Sequence, residues 1–333
     1  MTPRGRLVQI VLGVGISLGL LAYLLVSVDL KQVGQHLART HWGYLGLTVV
    51  ITIVAVWLRA RRWHYLFPPG AAPSRLFGAV MIGYMANNIL PLRAGELVRG
   101  YVAGRRGGQG FWTAIATLVV ERVLDALAVV VILAGLVLAI PVPAQLRWGA
   151  AVFLIFDIAA IFVLGLLAFA PERCVAMATR LLGRWPRLEG RTRQILKRFM
   201  LGLQGARTLT HLLPILMWSV AIWLAYGIGA WTALAAGHLR PSMTMAWAVI
   251  AFVGLGISVP SAPGFIGVFQ AAVVVALALF DIPRAEALSF SFLLHATQFF
   301  PVTLLGWIFL MVEQMSMAQI TRLTVSEVNR EGA

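Results

Sequence analysis

Uncharged apolar runs that are long enough to cross a lipid bilayer constrain this chain more than any other feature. Residues 7–28 contain no charged side chain, and residues 149–170 contain only Asp157. A helix needs about 20 consecutive apolar residues to cross a hydrocarbon core about 30 Å thick. The composition agrees, because 12% of the residues are charged, whereas soluble domains have about 25%. The sequence therefore predicts a membrane protein rather than a soluble enzyme.

The apolar runs predict an all-α fold, a polytopic bundle of transmembrane helices. The predicted spans are 7–28, 43–60, 113–140, 149–170, 212–236 and 287–312. Two further apolar regions, 76–104 and 245–280, are interrupted by Pro and Gly, and we expect each to form a broken, re-entrant-like hairpin. The first run is longer than the h-region of a signal peptide, about 7–15 residues, so we expect it to be retained as a span.

Arginine-rich loops predict the orientation, since Lys and Arg accumulate on the cytoplasmic side. Arg59, Arg61 and Arg62 are assigned to a basic connection after the second span, and segment 172–211 has nine Lys and Arg against two Glu. We expect the N-terminus, these connections, residues 105–106 and the polar tail 314–333 to be cytoplasmic. Loops 141–148 and 237–244 would face outside. Because the basic residues lie in loops between spans, the net charge of +15 does not indicate binding to nucleic acid.

Within 172–211, residues 187–204 place apolar side chains on one helical face and basic ones largely elsewhere. This pattern is typical of an amphipathic helix at an anionic membrane surface. The alternative is a loop whose only role is to set the topology.

The order of the elements predicts two related halves. Residues 1–140 and 141–313 each read as span, span, hairpin, span, and the two hairpins would enter the membrane from opposite faces. An odd number of spans inverts the second copy, as in inverted-repeat transporters. The breaks at Pro91–Gly95 and Pro260–Gly264 also share the pattern Pro-x-x-x-Gly. An inverted repeat and an ordinary bundle of the same helices are the two organisations that fit.

The break of the first hairpin carries most of the polar residues. Irregular backbone at membrane depth persists only where it is buried in protein or lines a wet cavity. The N–H groups after Gly95, reinforced by Arg93 and Arg99, would suit an anion. The alternative is an ordinary loop in which Glu96 pairs with Arg99. The candidate site residues in this segment are Asn87, Asn88, Pro91, Arg93, Gly95, Glu96 and Arg99.

A second cluster, Glu121, Arg122 and Asp125, lies inside an apolar span. Charges at membrane depth cost several kcal/mol unless they are paired or hydrated, so we expect these to face the interior. The predicted network is neutral: Arg93, Arg99 and Arg122 against Glu96, Glu121 and Asp125. A phosphate could displace one carboxylate from it. The alternative is a purely structural network that fixes the hairpin to the helix.

The third cluster carries no charge. Pro260, Pro263, Gly264 and Gly267 would shape the backbone of the second hairpin, and the alternative is a simple kinked helix pair. We predict no catalytic residue, metal ligand or cofactor, because the sequence has no Ser-His-Asp set or nucleotide loop, and the single Cys174 excludes a cysteine-rich metal site.

These three clusters, taken in order, resemble the lysylphosphatidylglycerol synthase transmembrane region, also called the flippase-like domain family. The resemblance rests on Asn-x-x-Leu-Pro-x-Arg-x-Gly-Glu-x-x-Arg at 87–99, Glu-Arg-x-x-Asp at 121–125 and Pro-x-x-Pro-Gly-x-x-Gly at 260–267. Two departures stand out. The chain ends about 20 residues after its last span, so we expect it to lack the soluble aminoacyl-transfer domain. Gln270 stands where we expect the family to favour Glu.

The resemblance implies a multi-pass protein of a bacterial or archaeal cytoplasmic membrane whose partner is a membrane lipid. It implies a translocase that moves a phospholipid, polyprenyl-linked or hopanoid-type lipid between leaflets, and we expect no enzymatic reaction. Two alternatives are a membrane enzyme acting on lipid-linked sugars, with Glu121 and Asp125 as its acid–base pair, and a non-catalytic partner of a soluble lipid-modifying enzyme.

Overall fold

A computed structural model of the chain describes residues 3–91, 94–108, 110–141, 143–182, 186–258, 261–317 and 319. Within these residues the structure consists of helices and turns and contains no β-strand, which confirms the predicted all-α fold. The α-helices are α1 (Pro3–Val26), α2 (Leu30–Ala38), α3 (Trp42–Leu66), α4 (Leu76–Ile89), α5 (Gly95–Gly107), α6 (Phe111–Ala139), α7 (Ala144–Phe169), α8 (Pro171–Leu182), α9 (Pro186–Gly202), α10 (Gln204–Arg207), α11 (Leu209–Ala236), α12 (Met243–Gly256), α13 (Val268–Ala278) and α14 (Arg284–Val312).

Five helices, α3, α6, α7, α11 and α14, are long and apolar enough to cross a membrane. A sixth span is α1, if it is counted together with α2, into which it bends by 89°. Five of the six predicted spans are therefore present, the first one is present if the bent pair α1–α2 forms a single span, and the chain is a multi-pass membrane protein. The second span differs from the prediction, because α3 continues to Leu66 and buries Arg59 and Arg62. Their assignment to a cytoplasmic connection was wrong: helical spacing turns both side chains towards the protein interior.

Both broken hairpins are also present. In the first, α4 packs against α5 across a break after Ile89, and in the second α12 packs against α13 across a break that contains the 3₁₀ turn Pro263–Phe265. Short helices that meet at such breaks need close backbone contact. A Cβ on Gly95 would lie 1.9 Å from the carbonyl oxygen of Gly83. Gly95 is therefore required for packing within the first hairpin.

Each hairpin packs against a span of the other half. Helix α4 lies along α14, α12 lies along α6, and the centre of the bundle is the long contact between α3 and α11. Two apolar cores result, one around the first hairpin and one around the second. The contacts of one half thus have counterparts in the other. The inverted repeat, and the division into 1–140 and 141–313, stay predictions.

The described residues of the basic segment between α7 and α11 form the helices α8, α9 and α10. Helix α9 agrees with the amphipathic helix predicted at 187–204, and it packs against the start of α6. A Cβ on Gly202 would lie 2.3 Å from the carbonyl oxygen of Thr113, and the hydroxyl of Thr113 donates to the carbonyl of Arg198 at 3.1 Å. Phe199 and Leu203 pack with Ala116 of α6. The apolar face of α9 is therefore at least partly covered by the bundle.

Candidate functional site

A cavity of about 220 Å³ lies between the two hairpins and the α3–α11 pair. The first half contributes mainly polar side chains to its wall: Thr48, Thr52, Arg59, Tyr84, Asn87, Asn88, Glu96 and Arg122. The second half contributes mainly aliphatic, small and aromatic residues, and its aromatic and amide side chains are Trp223, Tyr226, Phe265, Phe269, His295, Gln298 and Phe299. One wall is therefore charged and the other is apolar and aromatic.

Behind the charged wall, Glu121 is fully buried and accepts hydrogen bonds from two arginines. Arg99, also fully buried, donates from Nη1 and Nη2 to its two carboxylate oxygens at 2.9 and 3.0 Å. Arg59 donates from Nη1 at 3.1 Å. The Arg99 guanidinium also lies 4.5 Å from the centre of the Trp63 ring. Such charge-assisted, bidentate pairs fix both side chains, so Glu121 and Arg99 hold α5 against α6.

The second buried carboxylate, Asp125, joins α6 to α3. It accepts from Arg59 Nη1 at 2.7 Å and from Arg62 Nη2 at 2.9 Å. A further donor of each arginine reaches α11, since Arg59 Nε donates to the Tyr226 hydroxyl at 2.7 Å and Arg62 Nη1 to the Ser219 hydroxyl at 3.2 Å. Two arginines that were predicted to lie in a loop therefore connect the three helices α3, α6 and α11.

The pair Arg122–Glu96 differs from the buried pairs because it faces the cavity. Its side chains are 36% and 23% exposed, whereas those of Arg99 and Glu121 are fully buried. Arg122 hydrogen-bonds Glu96 across the α5–α6 contact, and its Nη1 lies 3.9 Å from Asp125 Oδ2. A ligand in the cavity can therefore reach Arg122 without unfolding the network behind it.

The predicted neutrality of the network is wrong, because Arg59 and Arg62 belong to it. Among the described residues, four arginines (Arg59, Arg62, Arg99 and Arg122) face three carboxylates (Glu96, Glu121 and Asp125). One positive charge is left over beside the cavity. A net charge at membrane depth is costly unless a counter-charge or water compensates it.

At the N-terminus of α5, after the first break, a side chain of the protein accepts the hydrogen bond that was predicted to go to an anion. The Gly95 N–H donates to Asn87 Oδ1 at 2.9 Å, so this backbone group is not available to an anion as predicted. Asn88 points to the other half, where its amide donates to the Thr303 hydroxyl at 2.8 Å. The two asparagines therefore connect the first hairpin to itself and to α14, although both also line the cavity.

The second hairpin is held by neutral groups. Gln270 is 1% exposed, accepts from the Gly267 N–H at 2.7 Å and contacts His295 Nδ1 through its Nε2 at 3.0 Å. His295 stacks on Phe269 with ring centres 4.4 Å apart. The amide that replaces the expected Glu thus caps α13 and bridges to α14 without a charge.

The predicted site residues divide into three groups. Asn87, Asn88, Glu96 and Arg122 line the cavity, while Arg99, Glu121 and Asp125 support it from behind. Pro91, Gly95, Pro263, Gly264 and Gly267 do not line the cavity and shape the two breaks instead. Arg93 and Pro260 lie outside the described residues.

Sequence reasoning missed Arg59, Arg62, Tyr84 and Tyr226. A signal for the arginines exists: Arg59 and Arg62 are three residues apart and share a helical face, and Trp63, next to Arg62, is buried as well. The exposed Arg61 falls on the opposite side. Because the three arginines were treated as one basic cluster, the difference in helical orientation between Arg59 and Arg62 on one side and Arg61 on the other was missed.

The comparisons with known proteins confirm the family that the sequence resembles. A family model described as "Lysylphosphatidylglycerol synthase TM region" matches residues 10–306. The chain is also similar to the glycosyltransferase AglD of Haloferax volcanii, with 31% identity over 144 residues, which is 41% of this chain and 23% of that protein. The chain therefore spans less than a quarter of the length of this curated relative. No solved structure matches the chain at a significant level.

Proposed function

The chain belongs to the lysylphosphatidylglycerol synthase transmembrane-region family, and from this premise we propose that it moves an anionic lipid between the two leaflets of a membrane. The observation that carries the proposal is the cavity between the hairpins, with its charged wall on one side and its aromatic wall on the other. In this proposal the lipid headgroup occupies the cavity and the acyl or polyprenyl chain stays in the bilayer.

The charge of the cavity supports a lipid with a single negative charge. The network behind the wall has one arginine more than it has carboxylates, and Arg122 is its most exposed member. A phosphodiester, as found in phospholipids and in polyprenyl phosphate sugars, carries one negative charge and presents oxygens to a guanidinium fork.

The size of the cavity supports entry of the headgroup alone. Its volume of about 220 Å³ is smaller than the ~300–1,000 Å³ of pockets that enclose a whole drug-sized ligand. A headgroup fits this volume and a whole lipid does not. The amide and hydroxyl groups of Gln298, Asn88 and Tyr84 on the wall can hydrogen-bond a polar headgroup.

The test is lipid transfer in liposomes that contain only this protein. We expect a labelled phosphodiester lipid to change leaflets faster than an uncharged lipid with the same chains. Arg122→Gln should slow this transfer about tenfold or more, since a hydrogen bond to a charged group contributes about 1.5–3 kcal/mol. Arg105→Gln, which removes an exposed charge of α5, is the matched control. Equal rates for charged and uncharged lipids in the wild type would contradict the proposal.

A second candidate function rests on the similarity to AglD. The chain would present a lipid-linked sugar or phosphate to a glycosyltransferase, as a membrane partner without its own chemistry. The arrangement of Glu121 and Asp125 argues against their action as an acid–base pair, because arginines engage both carboxylates. Dependence of lipid transfer on an added soluble enzyme would favour this second function, whereas transfer by the protein alone favours the first.

A further inference from the structure

Arg61, on the side of α3 opposite the cavity, is a candidate for a second anion-binding site. Its neighbours Arg59 and Arg62 are buried in ion pairs, whereas Arg61 is exposed and has no carboxylate partner among the described residues. Its guanidinium lies 6.0 Å from the ring centre of Trp57 and 5.9 Å from that of Trp218. Two aromatic faces from two helices thus hold one unpaired cation at the contact between α3 and α11.

The surface beside Arg61 is a continuous apolar stripe. Leu47, Val50, Val54 and Trp57 follow the three- and four-residue spacing of one helical face and are 45–56% exposed. This stripe ends at Arg61, and 14 residues of α-helix separate Arg61 from Leu47, or about 21 Å at 1.5 Å per residue. One leaflet of the hydrocarbon core measures about half of 30 Å. The stripe is therefore long enough to accompany an acyl chain through one leaflet.

Helix α11 supplies the other side of this surface. It runs antiparallel to α3, as shown by the hydrogen bonds Thr48–Thr232 and Arg62–Ser219. The register of these two bonds places Val220, Leu224 and Ile228 alongside the α3 stripe between Val50 and Arg61, and these three residues are exposed and repeat at helical spacing. Together the two stripes form an apolar seam that ends in the Arg61–Trp57–Trp218 cluster.

We propose that this seam binds an anionic phospholipid, with its phosphate on Arg61 and an acyl chain along the two stripes. Tryptophans are suited to the headgroup level of a bilayer, and a guanidinium stacked on aromatic rings keeps its N–H donors free for phosphate oxygens. The seam is separate from the cavity, because Arg59 and Arg62 turn inward while Arg61 turns outward. This binding site therefore does not depend on the proposed translocation.

The experiment counts lipids retained by the full chain, purified from equimolar phosphatidylglycerol and the diacylglycerol with the same acyl chains, which lacks the phosphate, and measured by native mass spectrometry. We expect the wild type to retain phosphatidylglycerol preferentially. Arg61→Gln should lower this preference about tenfold, the scale of one charge-assisted hydrogen bond. Arg61→Lys keeps the charge but not the fork and should lie in between. Trp218→Leu should weaken retention while Arg61 is still present.

Arg105→Gln removes an exposed positive charge elsewhere and is the matched control, for which the preference should not change. Wild-type retention in Arg61→Gln, or an equal loss in Arg105→Gln, would overturn the proposal. Inorganic phosphate is added in a further arm. If millimolar phosphate displaces the lipid completely, the stripes contribute nothing and the site is a simple anion site. Unchanged elution of each folded variant on size exclusion excludes unfolding as the cause.

Discussion

The two hairpins of this protein have the same layout but are held by different forces. The first is held to α6 by the buried ion pair Arg99–Glu121, and Glu121 and Asp125 of α6 pair in turn with Arg59 of α3. The second contains no charged residue between Met243 and Ala278 and is held by Gln270, His295 and close backbone packing against α1. The same architecture at membrane depth thus tolerates a charged network in one place and avoids charge entirely in the other.

The difference shows where ligand recognition can reside. Buried charges demand partners of fixed geometry, so Arg99 and Glu121 leave no freedom for a ligand. Only at the rim of the network, at Arg122 and Glu96, is a charged pair partly exposed. The second hairpin contributes Phe265 and Phe269 to the cavity, and these suit the apolar part of a ligand. We infer that the first hairpin selects for charge and the second for shape.

The comparison between the two hairpins assumes that they enter the membrane from opposite faces, and this assumption can be tested first. Topology predicts an all-or-none result in whole cells: after Cys174→Ala, a membrane-impermeant thiol reagent should label Gln145→Cys and not Gly190→Cys. Permeabilised cells provide the control, in which both positions should react. Labelling of position 190 and not 145 would contradict the predicted orientation, and labelling of both positions in intact cells would remove the inverted repeat, because α7 would then not cross the membrane.

The largest energetic effect is expected in the first hairpin. Glu121→Ala leaves Arg99 fully buried without a carboxylate, and loss of one partner of a buried pair costs about 3–5 kcal/mol. The yield of monodisperse protein in detergent and the thermal midpoint should both fall strongly. The double variant Glu121→Leu/Arg99→Leu removes both charges and should recover part of the loss. No recovery would mean that packing rather than charge dominates here.

Arg122→Ala provides the contrast within the same network. Its side chain is 36% exposed, so the variant should fold with nearly wild-type stability and lose lipid transfer instead. A loss of stability as large as that of Glu121→Ala would show that the Arg122–Glu96 pair is as inaccessible to water as the Arg99–Glu121 pair. The division between support and recognition would then have no basis.

A steric rather than electrostatic effect is expected in the second hairpin. Gly267 has φ +87°, and a Cβ there would lie 2.1 Å from the carbonyl oxygen of Ser17 on α1. Gly267→Ala should destabilise the protein by about 1–3 kcal/mol, the cost of backbone strain and overpacking. Gly15→Ala on the same α1 has no atom within 4 Å of its Cβ and should be neutral. A neutral Gly267→Ala would show that α1 does not cover this break.

Much of the fold was predictable, because length and apolarity suffice to find the spans and a Pro-Gly break suffices to find each hairpin. The site was predictable in part. Glu121, Asp125 and Arg99 were identified because a charge inside an apolar helix needs a partner. The partners Arg59 and Arg62 were missed because the loop interpretation counted charges along the chain, whereas burial follows helical phase. Gly95 was expected to expose its N–H, but the close approach of Gly83 and the side chain of Asn87 occupy that position.

The smallest predicted effect is a gain in lipid binding, whereas the other variants are expected to lose stability or transfer. Glu96 is the only carboxylate on the cavity wall among the described residues, and it accepts a hydrogen bond from Arg122. An anionic headgroup must compete with it, and a partly exposed ion pair contributes about 0–1 kcal/mol. Glu96→Gln should therefore tighten binding of a phosphodiester lipid up to about fivefold, measured by lipid titration in detergent. Binding of an uncharged lipid should not change, whereas Arg122→Gln should weaken only the charged one. If Glu96→Gln weakens binding of the charged lipid, Glu96 positions Arg122 rather than competing for it. In that case the first hairpin would resemble the second, as a scaffold that shapes the cavity without selecting for charge.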